Sequence, residues 1–166
     1  MKEKSPKIII IEIGLTIVAV GQIILAFVLY NKDGHSMIRN AGWIVLSLSA
    51  ILGWLPIFTF KKYGKVPKGE GYVHTTQLVD KGIYAIVRHP QYLAGILMSI
   101  AFFLIAQHWI IGVLGVMLII IYYLSAFDEE KNAIEEFGEN YKNYMKTVPR
   151  FNFIVGLFKR LSRSMI

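Results

Sequence analysis

The sequence predicts an all-α protein, a polytopic membrane bundle of about four transmembrane helices followed by a C-terminal amphipathic helix. Three observations predict it. Of the 166 residues, 55% are hydrophobic and only 17% charged, too few polar groups to cover a soluble domain of this length. The apolar residues gather into four long stretches. The Lys and Arg residues gather between and after them. A single membrane domain is therefore expected over 1–166.

The first stretch, Ile8–Tyr30, is 23 residues with one ionisable group, Glu12, which is expected near the interface. Its basic start suits a signal peptide, but the apolar run continues far past an ordinary signal core, so it reads as a retained anchor. Ala41–Phe60 follows with 20 residues and no charge. Pro90–Gln107 and Ile110–Phe127 have 18 residues each. All four approach the roughly 20 residues that a helix needs to cross the hydrocarbon core. A segment that crosses must satisfy its own backbone hydrogen bonds, which makes it helical. Gln107-His108-Trp109 is so short a connection that the third and fourth spans must form an antiparallel hairpin. Beyond it, Ile134, Phe137, Tyr141 and Tyr144 recur at helical spacing and predict an amphipathic helix over 128–146. Gly138 interrupts that pattern. Phe151–Phe158 is a short apolar stretch ending in Lys159-Arg160, expected at the membrane interface.

The net charge of +7 is unevenly placed. Three Lys precede the first span, six Lys and Arg lie in the 61–88 loop, and seven follow the fourth span, against only Lys32 and Arg39 elsewhere. With four spans the 16 basic residues fall on one side, which the positive-inside rule makes the cytoplasm of a cell membrane. Such basic loops beside apolar spans point to lipid headgroups rather than nucleic acid. There is no cysteine, which excludes disulfides, thiolate nucleophiles and cysteine metal sites. The histidines have no ligand-like neighbours in sequence, so no metal is expected.

The residues able to carry chemistry gather at the cytoplasmic mouth of the hairpin. Pro90 suits the first helical position, which puts His89 at the cap. Arg88 and His89 add positive charge to a helix N-terminus, a setting that favours a carboxylate or phosphate. Tyr84 and Tyr92 flank them. The short turn places Asp128, Glu129 and Glu130 at a similar depth, so a positive and a negative pocket are expected to face each other across one cleft. A zwitterionic ligand with a sulfonium would suit that cleft, with tyrosine faces available to the cation. Each residue also has a plainer reading, as a headgroup contact or as the acidic start of a surface helix.

Taken in order, Thr76-Gln77-Leu78-Val79, Gly82-Ile83-Tyr84, Arg88-His89-Pro90-Gln91-Tyr92, Glu129-Glu130, Phe137-Gly138, Tyr141, Tyr144 and Val148-Pro149-Arg150 form a pattern. It resembles the isoprenylcysteine carboxyl methyltransferase and phospholipid methyltransferase group of integral membrane enzymes. The likeness covers Thr76 to about Phe151, and the first two spans share only hydrophobicity with it. It implies a pocket for S-adenosyl-L-methionine, closed by the tail helix and lined by Thr76, Gln77, Leu78, Val79, Tyr84, His89, Pro90, Gln91, Tyr92, Glu129 and Glu130. Arg88 would lie nearest the reacting centre, and a lipid-like or hydrophobic acceptor would enter from the bilayer. One position departs from the pattern. Prenylcysteine enzymes carry an arginine one helical turn before the glutamate that Glu129 matches, and Ser125 stands there instead. A hydroxyl in place of a cation counts against a prenylcysteine acceptor and leaves an amine, phenol, thiol or other small lipid-soluble nucleophile open. The Arg-His-Pro-x-Tyr region is also similar to membrane reductases of the sterol-reductase type, which use NADPH. An inactive scaffold of the same fold is the third alternative.

Overall fold

The structure is a computed structural model that describes residues 6–65 and 77–164. Its regular structure is helical: α1 (Pro6–Val28), α2 (Ser36–Tyr63), a 3-10 turn (Gly82–Ala85), α3 (Pro90–Ala106), α4 (Trp109–Phe137), α5 (Glu139–Thr147) and α6 (Phe153–Ser164). Among the described residues, Ile10–Val28, Ser36–Tyr63 and Trp109–Phe137 are long and apolar enough to cross a membrane, and α3 is a shorter apolar helix. Together these make a helical membrane bundle.

Helix α2 begins five residues before the expected Ala41, and the end of α4 differs most from expectation. The fourth apolar stretch ends at Phe127, but α4 runs on for ten more residues to Phe137. The polar residues 128–137 thus extend the span rather than begin a separate helix. The break falls at Gly138, whose φ of +56° lies in the left-handed region that a side chain disfavours. The amphipathic segment expected over 128–146 is therefore the end of α4 followed by the separate helix α5.

The chain divides into two compact units. One comprises residues 1–49 and 95–124. Here α3 and α4 lie close because glycines remove side chains between them. A Cβ on Gly95 would stand 2.3 Å from Tyr122 Cζ, and one on Gly112 would stand 3.0 Å from the Phe103 ring. Residues 95 and 103 meet 122 and 112 respectively, an antiparallel register. Gln22 on α1, almost completely buried, donates its amide to the carbonyls of Ile111 (3.1 Å) and Ser99 (3.3 Å). Ala26, Ala106 and Ile111 form the apolar cluster beside it. Large apolar side chains such as Ile17, Phe27 and Val116 are exposed, as a lipid-facing surface requires.

The second unit comprises residues 50–94 and 125–166. Its core is Tyr141, Tyr144 and Val148, packed by Leu78, Ile134, Phe137 and Met145. The 3-10 turn sits against α2, with Phe60 stacked on Tyr84 at 4.7 Å between ring centroids. Gly82, at φ +60°, lets the turn pass Thr59, whose Oγ1 would stand 2.7 Å from any Cβ.

Candidate functional site

All the described candidate residues lie in the second unit. Pro90 opens α3, and the His89 carbonyl accepts the Leu93 N–H at 3.0 Å, as a capping position should. The His89 side chain reaches across to α4. Its Nε2 lies 3.1 Å from Glu130 Oε1, its Nδ1 lies 3.5 Å from Glu129 Oε2, and its ring stacks on Tyr92. The imidazole is therefore held between two carboxylates.

Glu130 is the hub of the site. Its Oε1 accepts Arg88 Nε (3.0 Å), Arg88 Nη2 (2.8 Å), His89 Nε2 and Arg150 Nε (3.0 Å). Its Oε2 accepts Arg150 Nη2. Arg88 sends its remaining Nη1 to the carbonyls of Met145 (2.8 Å) and Val148 (2.7 Å). The two side chains are only 3% and 8% exposed, so this is a buried ion cluster in which each charge has a partner. Positive and negative pockets expected to face each other across a cleft are instead joined directly. Of the paired acids, Glu130 is buried and Glu129 stays 58% exposed.

Charge placement favours the protonated form of His89. Burial alone would lower its pKa, but its hydrogen bonds to Glu129 and Glu130 and their charges outweigh burial and raise it. The neighbouring phenols of Tyr141 and Tyr144 are pushed up, chiefly by burial. Tyr144 is thus a donor, and its hydroxyl bonds the Tyr84 carbonyl at 2.6 Å.

Sequence reasoning left Arg150 out of the candidate site. It lies 3.7 Å above the Phe127 ring centroid and spans to Glu130, one turn further along α4. The segment that carries it also caps the mouth of α3, because the Pro149 and Arg150 carbonyls accept the N–H groups of Arg88 and His89. The signal that could have found it is the lone Arg after Val148-Pro149, in a tail that must return to the bundle.

Gln77, Leu78 and Val79 line a cavity of about 380 Å³ with Lys62, Tyr63, Lys65, Asp80 and Lys81. Gln77 donates its amide to the Tyr63 carbonyl at 2.5 Å. Leu78 connects cavity and cluster, since it packs against the core of Tyr141, Tyr144 and Val148, and the Val148 carbonyl holds Arg88. Gln91 is exposed and Tyr92 half-buried at the start of α3, and Ser125 is half-buried on α4. Thr76 lies outside the described residues.

The phospholipid methyltransferase family model matches residues 40–140. That match includes Arg88, His89, Glu129 and Glu130. It also reaches back over most of α2, where the sequence alone gave only hydrophobicity to compare. Arg150 falls beyond it. No curated protein and no solved structure matches the chain. With its apolar helices, the chain is an integral membrane protein. It belongs to the phospholipid methyltransferase family of membrane methyltransferases.

Proposed function

We propose that the protein transfers a methyl group from S-adenosylmethionine to a lipid-like acceptor at the cytoplasmic face of the cell membrane. One observation carries this reading beyond the family. A polar cavity of about 380 Å³, within the roughly 300–1,000 Å³ usual for ligand sites, adjoins the ion cluster through Leu78. The donor set fits the cofactor. Lys62, Lys65 and Lys81 suit its carboxylate, with Lys62 and Lys81 resting over the Tyr63 ring, and Glu129, exposed outside the cavity lining, suits its ammonium.

When bound, the cofactor supplies an already activated methyl group. The chain's task is then to align an acceptor at about 3–3.5 Å and to exclude water. Gln77, Leu78 and Val79 would form one wall. Tyr84, His89, Pro90, Gln91 and Tyr92 would form the mouth of α3, and Glu129 would hold the cofactor's cation. Glu130 and Arg88, whose charges are consumed by each other and by Arg150, act as positioning residues that keep this mouth in place beside the reacting centre. Ser125, one turn before Glu129, would face the acceptor and supply no charge to it.

The test is transfer itself. Purified protein in vesicles of extracted membrane lipid, given methyl-labelled S-adenosylmethionine, should move label into the organic-soluble fraction. Absence of any protein-dependent label there, with the cofactor shown to bind, would reject a lipid-like acceptor.

A further inference from the structure

Helix α6 is amphipathic in the reverse sense from a helix on a soluble domain. At about 3.6 residues per turn, Gly156, Arg160 and Arg163 share one side, and Ile154, Leu157, Phe158 and Leu161 share the other. The side that docks is the polar one. Gly156 is buried, and a Cβ there would stand 1.8 Å from the Ile86 carbonyl oxygen, so only glycine permits this approach. Arg160 Nη1 donates to the Gly82 carbonyl at 2.8 Å, and Arg163 Nη2 donates to the Thr147 carbonyl. Ile154 and Phe158 are 66% and 67% exposed on the opposite side, with Leu161 at 50%.

An amphipathic helix buries its apolar stripe against whatever apolar medium is available. Here the cations are fixed inward to backbone carbonyls and the apolar stripe points away from the unit that holds it. We infer that α6 lies in the membrane interface with Ile154, Leu157, Phe158 and Leu161 immersed in the acyl region of the bilayer. The occupant of this surface is lipid, because the chain is an integral membrane protein and the same unit exposes Ile51, Trp54 and Phe58 of its span α2. Lys159, exposed and set apart from the apolar stripe, reaches the headgroup layer. The docking points give this a consequence. They are the 3-10 turn that carries Tyr84 and the end of α5 that precedes the Arg150 segment, so lipid contact at α6 bears on the elements around the ion cluster. The inference rests on geometry and does not depend on methyl transfer.

Because the chain has no cysteine, single cysteines at Ile154, Phe158, Leu161 and Lys159 can each carry a nitroxide label in the full protein without background. In phosphatidylcholine–phosphatidylglycerol vesicles, collision with oxygen should exceed collision with a water-soluble nickel chelate severalfold at 154, 158 and 161, with the order reversed at 159. Equal chelate access at all four sites would place α6 in water and overturn the inference. Shielding of 154, 158 and 161 from both reagents would mean that protein, not lipid, covers the helix, and would overturn it equally. A second variant, Gly156→Leu, should raise label mobility at 158. Unchanged mobility there would contradict the docking face.

Discussion

Arg150 grips Glu130 with both arms of its guanidinium, Nε on one carboxylate oxygen at 3.0 Å and Nη2 on the other at 2.5 Å. Twenty residues and the break at Gly138 separate the two. A bidentate pair of this kind fixes orientation as well as distance. It sets the tail segment over the start of α3, where the Pro149 and Arg150 carbonyls take up the backbone N–H groups of Arg88 and His89.

The paired glutamates should therefore separate by role. Glu130→Gln leaves Arg88 and Arg150 without their common counter-charge and should cost about 3–5 kcal/mol of stability. Glu129→Gln, at an exposed position, should cost clearly less than that, chiefly by weakening its contact with His89. It should instead weaken S-adenosylmethionine binding by about 1.5–3 kcal/mol through the lost charge-assisted contact. Thermal unfolding and calorimetry in detergent measure the two effects. Unfolding behaviour that is the same for both variants would remove Glu130 from the centre of the cluster.

His89 predicts a pH dependence with a definite sign. Its folded pKa is raised above the ordinary 6.5, since both ring nitrogens face carboxylates and, on balance, these outweigh burial. Its contribution to stability is thus fully present below that value and is lost as pH rises through the folded pKa. The parent should melt at progressively lower temperature as the pH is raised through that window. His89→Gln should melt lower at acid pH and show a flatter profile. A parent that gains stability over the same window would contradict the assignment.

Much of the fold was legible because the bilayer writes it in hydropathy, and Pro90 and the short Gln107-His108-Trp109 connection punctuate it. The nearness of Arg88 to the acids followed from that short link. Hydropathy, however, marks where a helix leaves lipid and not where it ends. Asp128 to Glu136 therefore looked like a new element while α4 simply continued to Phe137, helped by the Asp128–Lys131 pair at 3.4 Å. Arg150 was not legible as a partner of Glu130 because its approach depends on the backbone turn at Gly138 and on the path after Val148, neither of which has a period. The choice between Glu129 and Glu130 turned on about 100° of helix rotation, which adjacent identical residues do not reveal.

Topology is open to direct mapping. Both termini and the 61–88 loop should face the cytoplasm, given 16 Lys and Arg on that side against 2 on the other. Single cysteines at Lys68 and Ser162 should react with an impermeant reagent only from the cytoplasmic side, and one at Trp109 only from the opposite side. Cytoplasmic labelling at 109 would overturn the four-span arrangement.

Acceptor choice should respond to Ser125. A buried substrate carboxylate needs a cation, and an unpaired one is very costly. Arg88 is committed to Glu130 and to two carbonyls. The parent should therefore methylate uncharged or amine acceptors in preference to a farnesylcysteine analogue, and Ser125→Arg should shift the ratio toward the carboxylate. Efficient methyl-ester formation by the parent protein would refute this.

The most direct test of the account is binding of the methyl donor by the purified protein. Calorimetry in detergent with S-adenosylmethionine and, separately, with NADPH needs no knowledge of the acceptor. The account predicts saturable binding of S-adenosylmethionine and none of NADPH. Saturable binding of NADPH without S-adenosylmethionine, or of neither, would contradict it.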